Sequence, residues 1–442
     1  MADWEIFGES IHLVVQAIVN GILQGGLYAL IALGIVIINK ASGVFNFAHG
    51  WMMFFGALIF WQFYDTDPSG ELTSGAILLA IILVISATGT LGFTTTGGGK
   101  RSPQQREPVP SADSLGITAQ SSNRVSKAFR EFVNNWQSGR IDRRRAIISS
   151  ILGLVVLVII IFLILQDEWP ILRGTAAAFV FSLLLGLLIE RFSIRPLLGQ
   201  PILTAILMTL AIGFVIQGFT QVVWGPEDRK IDIFTNEARV ETQVIPVFNP
   251  ATAQMENRVT TQTVGGGTVS DYRIETEEWL GADVRLKRFL TWGFGIAMAT
   301  FITFTIFFRF TPLGLAMRAT AENQTLAESV GLRVRLMLAL AWAMVAVMAT
   351  IAGIIQGTGG TGVAILVVPA LALRVFPAVL LGGLESIAGA MVGGLVIGIV
   401  EQLTIVFMDT SAAQQMAPFL VLIIVLIIRP DGLFGQRRID RV

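Results

Sequence analysis

Between Glu9 and Lys40 the chain has no Asp, Glu, Lys or Arg, and residues 11–38 are almost wholly apolar. A helix of roughly 20 apolar residues spans the hydrocarbon of a bilayer and satisfies every backbone amide internally. Runs of this kind recur, and they predict membrane segments at 11–38, 49–64, 75–93, 147–165, 172–190, 201–224, 289–309, 335–357, 363–383, 388–407 and 416–429. Gly and Pro interrupt the last three, so some of these are expected to be half-helices. Composition agrees: 14% of the 442 residues are charged, against about a quarter in soluble domains, and mean hydropathy is +0.70. The expected fold is an all-α polytopic membrane protein. It is a multi-helix bundle of about 9–11 segments with a small β-rich external insertion.

The placement of charge matters more than its sum, since Lys+Arg and Asp+Glu balance at 31 each. This balance gives no reason to expect a nucleic-acid partner. Segments 1–10, 65–71 and 167–168 are acidic, whereas 100–145, 191–195, 309–335 and 429–441 are rich in Arg. The two sets alternate as the spans require, so the Arg-rich set is expected to face the cytoplasm. The first basic residue is Lys40, so the opening lacks the basic start of a secretory signal and is expected to stay as a membrane segment. There is no Cys, hence no disulfide and no thiolate ligand, and no cofactor or metal is expected.

The expected divisions are membrane helices at 1–93, a basic cytoplasmic loop at 94–146, membrane helices at 147–224, an external insertion at 225–288, membrane helices at 289–429 and a cytoplasmic tail at 430–442. In "RVSKAFREFVNNWQ", Val125, Phe129, Phe132, Val133 and Trp136 share one helical face beside Arg124, Lys127 and Arg130. Such a helix lies on anionic lipid or docks on protein. "RVETQVIPV", "RVTTQTV" and "TVSDYRIET" in the second block alternate and are rich in Val and Thr, with Gly265–Gly267 read as a turn.

Glycines spaced four apart (Gly21 and Gly25, Gly353 and Gly357, Gly389 and Gly393, Gly394 and Gly398) predict close helix packing. No catalytic residues emerge. "TTGGGKRS" at 95–102 fails as a phosphate loop, because Lys100 is followed by Arg101. His12 and His49 stand alone. Ionisable residues within spans are functional candidates by default; here these are Arg374, Glu385 and Glu401. Arg374 and Glu401 either pair or snorkel to an interface. In "TPLGLAMRATAENQTLAESVGLRVR" (311–335), Thr311 caps a helix with Pro312 at its first position, small residues follow, and Gly331 offers a left-handed stop. This predicts an ordered helix–turn–helix for a cytoplasmic partner, flanked by Arg318, Arg333 and Arg335.

"NGILQGGLYALIALGIVIINKASGVFNFAHG" (20–50), "PLGLAMRATAENQTLAESVGLRV" (312–334), "FPAVLLGGLESIAGAMVGGLVIGIVE" (376–401) and "RPDGLFGQRR" (429–438) resemble, in order, the permeases of branched-chain amino acid ABC importers. "ERFSIRPLLGQPILTAILMTLAIGFVIQ" (190–217) fits the middle of that pattern. The resemblance implies a multi-pass protein of the bacterial inner membrane that hydrolyses no ATP itself. Its implied partners are two cytoplasmic ATP-binding subunits, a second permease subunit (related or identical) and an external solute-binding protein that delivers a small-molecule substrate. It also implies coupling to the ATPase through 316–331, with Arg318, Ala319, Ala321, Glu322, Ala327 and Gly331 as candidates. The chain departs from the family pattern by adding much of 94–165 and lengthening 225–288. Urea or short amides are alternative substrates; the scarcity of buried charge disfavours a secondary transporter, and the absence of a nucleophile–base set disfavours a membrane enzyme.

"GVFNFAHG" (43–50) is then expected to be an inter-helical bend. Gly43 and Gly50 would permit sharp geometry, Asn46 and His49 would satisfy freed backbone groups, and Phe45 and Phe47 would pack on the bundle. With Gly382 and Gly383, these residues form the candidate helix breaks or pathway.

Overall fold

The computed structural model of the protein describes residues 5–6, 9–65, 169–197, 200–236, 239–249, 254–264, 267–268, 272–274, 276, 283–359 and 361–435. The chain forms two compact units, Met1–Gly70 with Asp167–Val442, and Glu71–Gln166; all described residues lie in the first. The expected spans 75–93 and 147–165, the basic amphipathic face at 125–136 and the stretch 95–102 lie outside the described residues.

Twelve described α-helices build the unit: α1 (Ile11–Ser42), α2 (His49–Asp65), α3 (Pro170–Ile189), α4 (Ile202–Trp224), α5 (Arg288–Phe310), α6 (Pro312–Glu322), α7 (Gln324–Ser329), α8 (Val334–Gly357), α9 (Val368–Arg374), α10 (Phe376–Gly382), α11 (Ile387–Met408) and α12 (Ser411–Ile428). Seven of them, α1, α3, α4, α5, α8, α11 and α12, are long and apolar enough to cross a membrane. The expected span at 49–64 is the 17-residue α2, about 25 Å long at 1.5 Å per residue. The expected span at 363–383 resolves into the short helices α9 and α10, broken at Val375 just ahead of Pro377.

Helix α1 is the spine of the bundle. From Leu27 to Ile38 it is buried almost all round, as its all-apolar circumference requires. It packs most extensively on α11 and also meets α5, α8 and α10; α2, α3 and α8 form a second cluster, joined to α1 through α8. By contrast, α12 exposes Met416, Phe419, Leu420, Ile423, Ile424, Ile427 and Ile428, and α4 exposes Leu203, Leu207, Phe214 and Val215. Apolar faces of this extent belong in lipid or against another subunit.

Most of the glycines spaced four apart lie at close helix approaches. A methyl added at Gly398 would lie 2.4 Å from the Gly21 carbonyl oxygen, and one at Gly25 would lie 2.7 Å from Leu395 Cα. Gly393 meets the Ala378 carbonyl, Gly389 meets that of Gly382, and Gly353 meets that of Met53. Gly357 differs, facing the side chains of Val363 and Ile231 rather than a backbone.

The block expected to be β-rich contains strands. β1 (Glu5–Ile6) and β2 (Glu9–Ser10) precede it; within it lie β3 (Thr235–Asn236), β4 (Arg239–Asn249), β5 (Gln254–Val264), β6 (Gly267–Thr268), β7 (Tyr272–Ile274) and β8 (Val284–Leu286). β4 and β5 form an antiparallel hairpin in continuous register from Arg239↔Val264 to Asn249↔Gln254. Gly267 pairs with Asn236 in a short ladder and is not the expected turn residue. β7 pairs with β8, and β8 is tied to the start of α1. Gln16 Nε2 donates to the Arg285 carbonyl at 2.7 Å, and Arg285 N donates to Gln16 Oε1 at 2.8 Å.

Candidate functional site

The α6–α7 pair forms as its end signals dictate. Thr311 Oγ1 accepts from Gly314 N at 3.0 Å, with Pro312 at the first helical position. Asn323, extended at φ −155°, ends α6, and its Oδ1 caps α7 by accepting from Leu326 N at 2.9 Å. Gly331 closes the pair at φ +87°; Leu332 N reaches back to the Ala327 carbonyl at 3.0 Å, a six-to-one bond that such a left-handed residue permits. The inner face is Gly314, Met317 and Thr320 in α6 and Ala327 in α7, all buried. Gly314 lies on the α5 backbone, where a methyl would come within 2.6 Å of Phe308 Cα.

The outer face carries Leu315, Ala319, Glu322, Leu326 and Val330, all exposed. Leu315, Ala319 and Glu322 follow the three-to-four spacing of one helix face, and Leu326 and Val330 share the same spacing beyond the Asn323 break. Two expected docking residues do not belong to this outer face. Ala327 is only 3% exposed, so bulk there would strike the protein's own interior. Arg318 folds back, its Nη2 donating to the Arg309 carbonyl at 3.4 Å at the end of α5, as a cation near a helix C-terminus does. Ala321 is half-buried and Gly331 exposed.

The octapeptide 43–50 joins α1 to α2. Gly43 supplies the left-handed stop of α1 at φ +69°, its N–H bonding the Asn39 carbonyl at 2.8 Å. Asn46 Oδ1 accepts from Ala48 N at 3.1 Å, so it satisfies a freed backbone group as expected. Thr209 of α4 fastens the bend: its Oγ1 donates to the Phe45 carbonyl at 3.1 Å and accepts from Phe47 N at 3.3 Å. The Phe45 and Phe47 rings both pack on Phe376 of α10, with centroids at 5.5 and 5.9 Å. The bend therefore grips the start of a broken helix.

Two roles expected for this bend need correction. Gly50 is helical and creates no turn; its missing side chain admits the Pro369 backbone of α9, which a methyl would approach to 2.2 Å. His49 is 1% exposed and both ring nitrogens lack partners, so it satisfies no backbone group. Its ring fills the space left by Gly34 beside Val345.

Gly383, at φ +99°, ends α10. Here the chain near its C-terminus folds back: Leu433 N and Phe434 N donate to the carbonyls of Leu381 and Gly382 at 2.8 and 3.2 Å. A methyl on Gly383 would meet the Gly435 backbone at 2.7 Å.

The three ionisable candidates separate. Glu401 is buried, and its Oε2 accepts from Tyr28 Oη at 2.6 Å across the α1–α11 seam while Oε1 has no partner. Arg374 is half-buried and makes no ion pair with it. Glu385 is exposed in the loop before α11, so it is not an intramembrane charge. Sequence reading passed over two further buried charges. Glu190 takes both hydrogen bonds of the Arg195 fork, at 2.9 and 2.8 Å, a bidentate pair. Arg173 Nε donates to the Phe63 carbonyl at the end of α2. The available signals were a Glu and an Arg five residues apart at a span end, and an Arg inside the apolar run 170–189.

The model of the family described as branched-chain amino acid transport system / permease component matches residues 147–428, more than half of the chain. The high-affinity branched-chain amino acid transport system permease protein LivH of Salmonella typhimurium is 23% identical over 296 residues, 67% of this chain and 84% of that protein. The corresponding permease protein BraD of Pseudomonas aeruginosa is 34% identical over 143 residues, 31% of this chain and 45% of that protein. A probable branched-chain amino acid transport permease protein of Methanocaldococcus jannaschii is 28% identical over 139 residues, 28% of this chain and 41% of that protein. No solved structure matches. Seven apolar helices and these relatives describe a multi-pass protein of the bacterial inner membrane. A family match over 147–428, well over half of the chain, means that this chain belongs to the branched-chain amino acid transport system permease component family.

Proposed function

We propose that this chain is the membrane-spanning subunit of an ABC importer. It moves branched-chain amino acids delivered by an external solute-binding protein, and the power comes from two ATP-binding subunits on the cytoplasmic side. A second permease subunit, related or identical, completes the channel against the apolar faces left exposed in this one. The observation that carries this reading is the α6–α7 pair: capped at both helix starts, anchored through Met317, Thr320 and Ala327, and presenting Leu315, Ala319, Leu326 and Val330 outward. A rigid element with one face locked to the bundle and the other free can carry a motor's movement inward. The Arg-rich loops around it set this face toward the cytoplasm, which leaves the 225–288 block outside, where a binding protein docks.

The test is uptake of labelled leucine into proteoliposomes that hold this chain with ATP-binding and permease subunits that co-purify with it. ATP-dependent uptake that needs the ATPases is expected. Uptake driven by an ion gradient in this chain alone would overturn the reading.

A further inference from the structure

A cavity of about 410 Å³ opens between α9 and α12, within the size range of small-ligand sites. Arg374, the last residue of α9, stands on its wall with Gln415, and Leu373, Met416, Phe419 and Leu420 supply apolar surface. Among the described residues the Arg374 guanidinium forms no hydrogen bond or ion pair. The nearby Glu401 carboxylate accepts a hydrogen bond from Tyr28 and lies within electrostatic reach of Arg374 without contacting it. A half-buried guanidinium that no carboxylate contacts directly among the described residues can take an anion that enters the groove. The bend described above lies close by in the chain: Phe376, two residues on, is the ring that Phe45 and Phe47 pack against.

We infer that this cavity is a substrate site on the translocation path, in which Arg374 holds the carboxylate of an aliphatic amino acid while Met416, Phe419 and Leu420 receive its side chain. The inference rests on the permease reading and sharpens it, since it names the group that reads the substrate inside the membrane. A planar guanidinium takes a carboxylate through two parallel hydrogen bonds, and Gln415 offers an amide donor beside it. The groove is open along α12.

Saturation-transfer NMR on the full chain in phosphatidylcholine nanodiscs tests this with three ligands of one shape. Leucine and isocaproate, which share the carboxylate, are expected to bind and compete; isoamylamine, which lacks it, is expected to do neither. Arg374→Gln should weaken leucine by about tenfold or more, and Arg374→Lys should restore much of the binding. Equal binding by Arg374→Gln, competition by isoamylamine, or no binding of leucine to the unaltered chain would overturn the inference. So would loss of leucine binding when phosphatidylglycerol is added, because Arg374 would then be holding a lipid headgroup. ATP-driven uptake by the unaltered transporter separates the two readings. If only this inference fails, that uptake survives and Arg374→Gln matches it; if the permease reading fails, uptake by the unaltered transporter is itself absent.

Discussion

Along the α1–α11 seam, small residues let two backbones touch. Along α6–α7, small residues leave a surface open. At the seam, Gly21, Gly25, Gly394 and Gly398 interlock so closely that an added methyl would lie within 3 Å of backbone atoms, and Tyr28 bonds Glu401 across the same pair of helices. In α6–α7 the buried residues are Gly314, Met317, Thr320 and Ala327, while Leu315, Ala319, Leu326 and Val330 are exposed. The same residue chemistry thus serves two ends: in lipid, where helices gain nothing hydrophobic by associating, small residues bring backbones together; on an ordered surface element they make room for something else.

Substitutions break the comparison in graded steps. Gly398→Leu should have the largest effect. It places a side chain where the Gly21 carbonyl already sits, and no folded, monodisperse protein is expected on size-exclusion chromatography in detergent. Recovery of a normal elution profile would mean that the seam is looser than the backbone contacts indicate. Ala327→Trp comes next, with over-packing of about 3 kcal/mol and reduced thermal stability in detergent. Ala319→Trp, eight residues earlier on the opposite face, should leave that stability unchanged while ATP-driven uptake falls about tenfold or more, as for bulk placed in a binding interface. If both variants lose stability alike, the division into inner and outer faces is wrong. Thr311→Ala is the mildest: it removes one cap, worth about 1 kcal/mol, and should lower the midpoint of thermal unfolding slightly while uptake continues.

Features set by local backbone rules were legible in the sequence. Thr311 with Pro312, Gly331 and Gly43 each do what their residue type permits at a helix end, and the four-residue glycine spacing marks real contacts. Features set by what lies opposite were not legible. Gly50 looked like a turn residue, but its purpose is the Pro369 backbone packed against it. His49 looked like a hydrogen-bonding residue, but it fills a space shaped by Gly34. Glu385 looked intramembrane because apolar residues flank it, yet it sits in the loop after α10 breaks at Gly383. Ala319 and Ala327 looked equivalent until Asn323 broke the helix between them and turned Ala327 inward.

The chain has no Cys, so Ala319→Cys gives a single thiol on the outer face of α6, and its labelling by a membrane-impermeant maleimide tests the central claim most directly. Labelling from the cytoplasmic side of inverted vesicles, with protection when the ATP-binding subunits are bound, is the result expected if this face receives the motor. Labelling from the external side, or labelling that the ATPases leave undiminished, would contradict it.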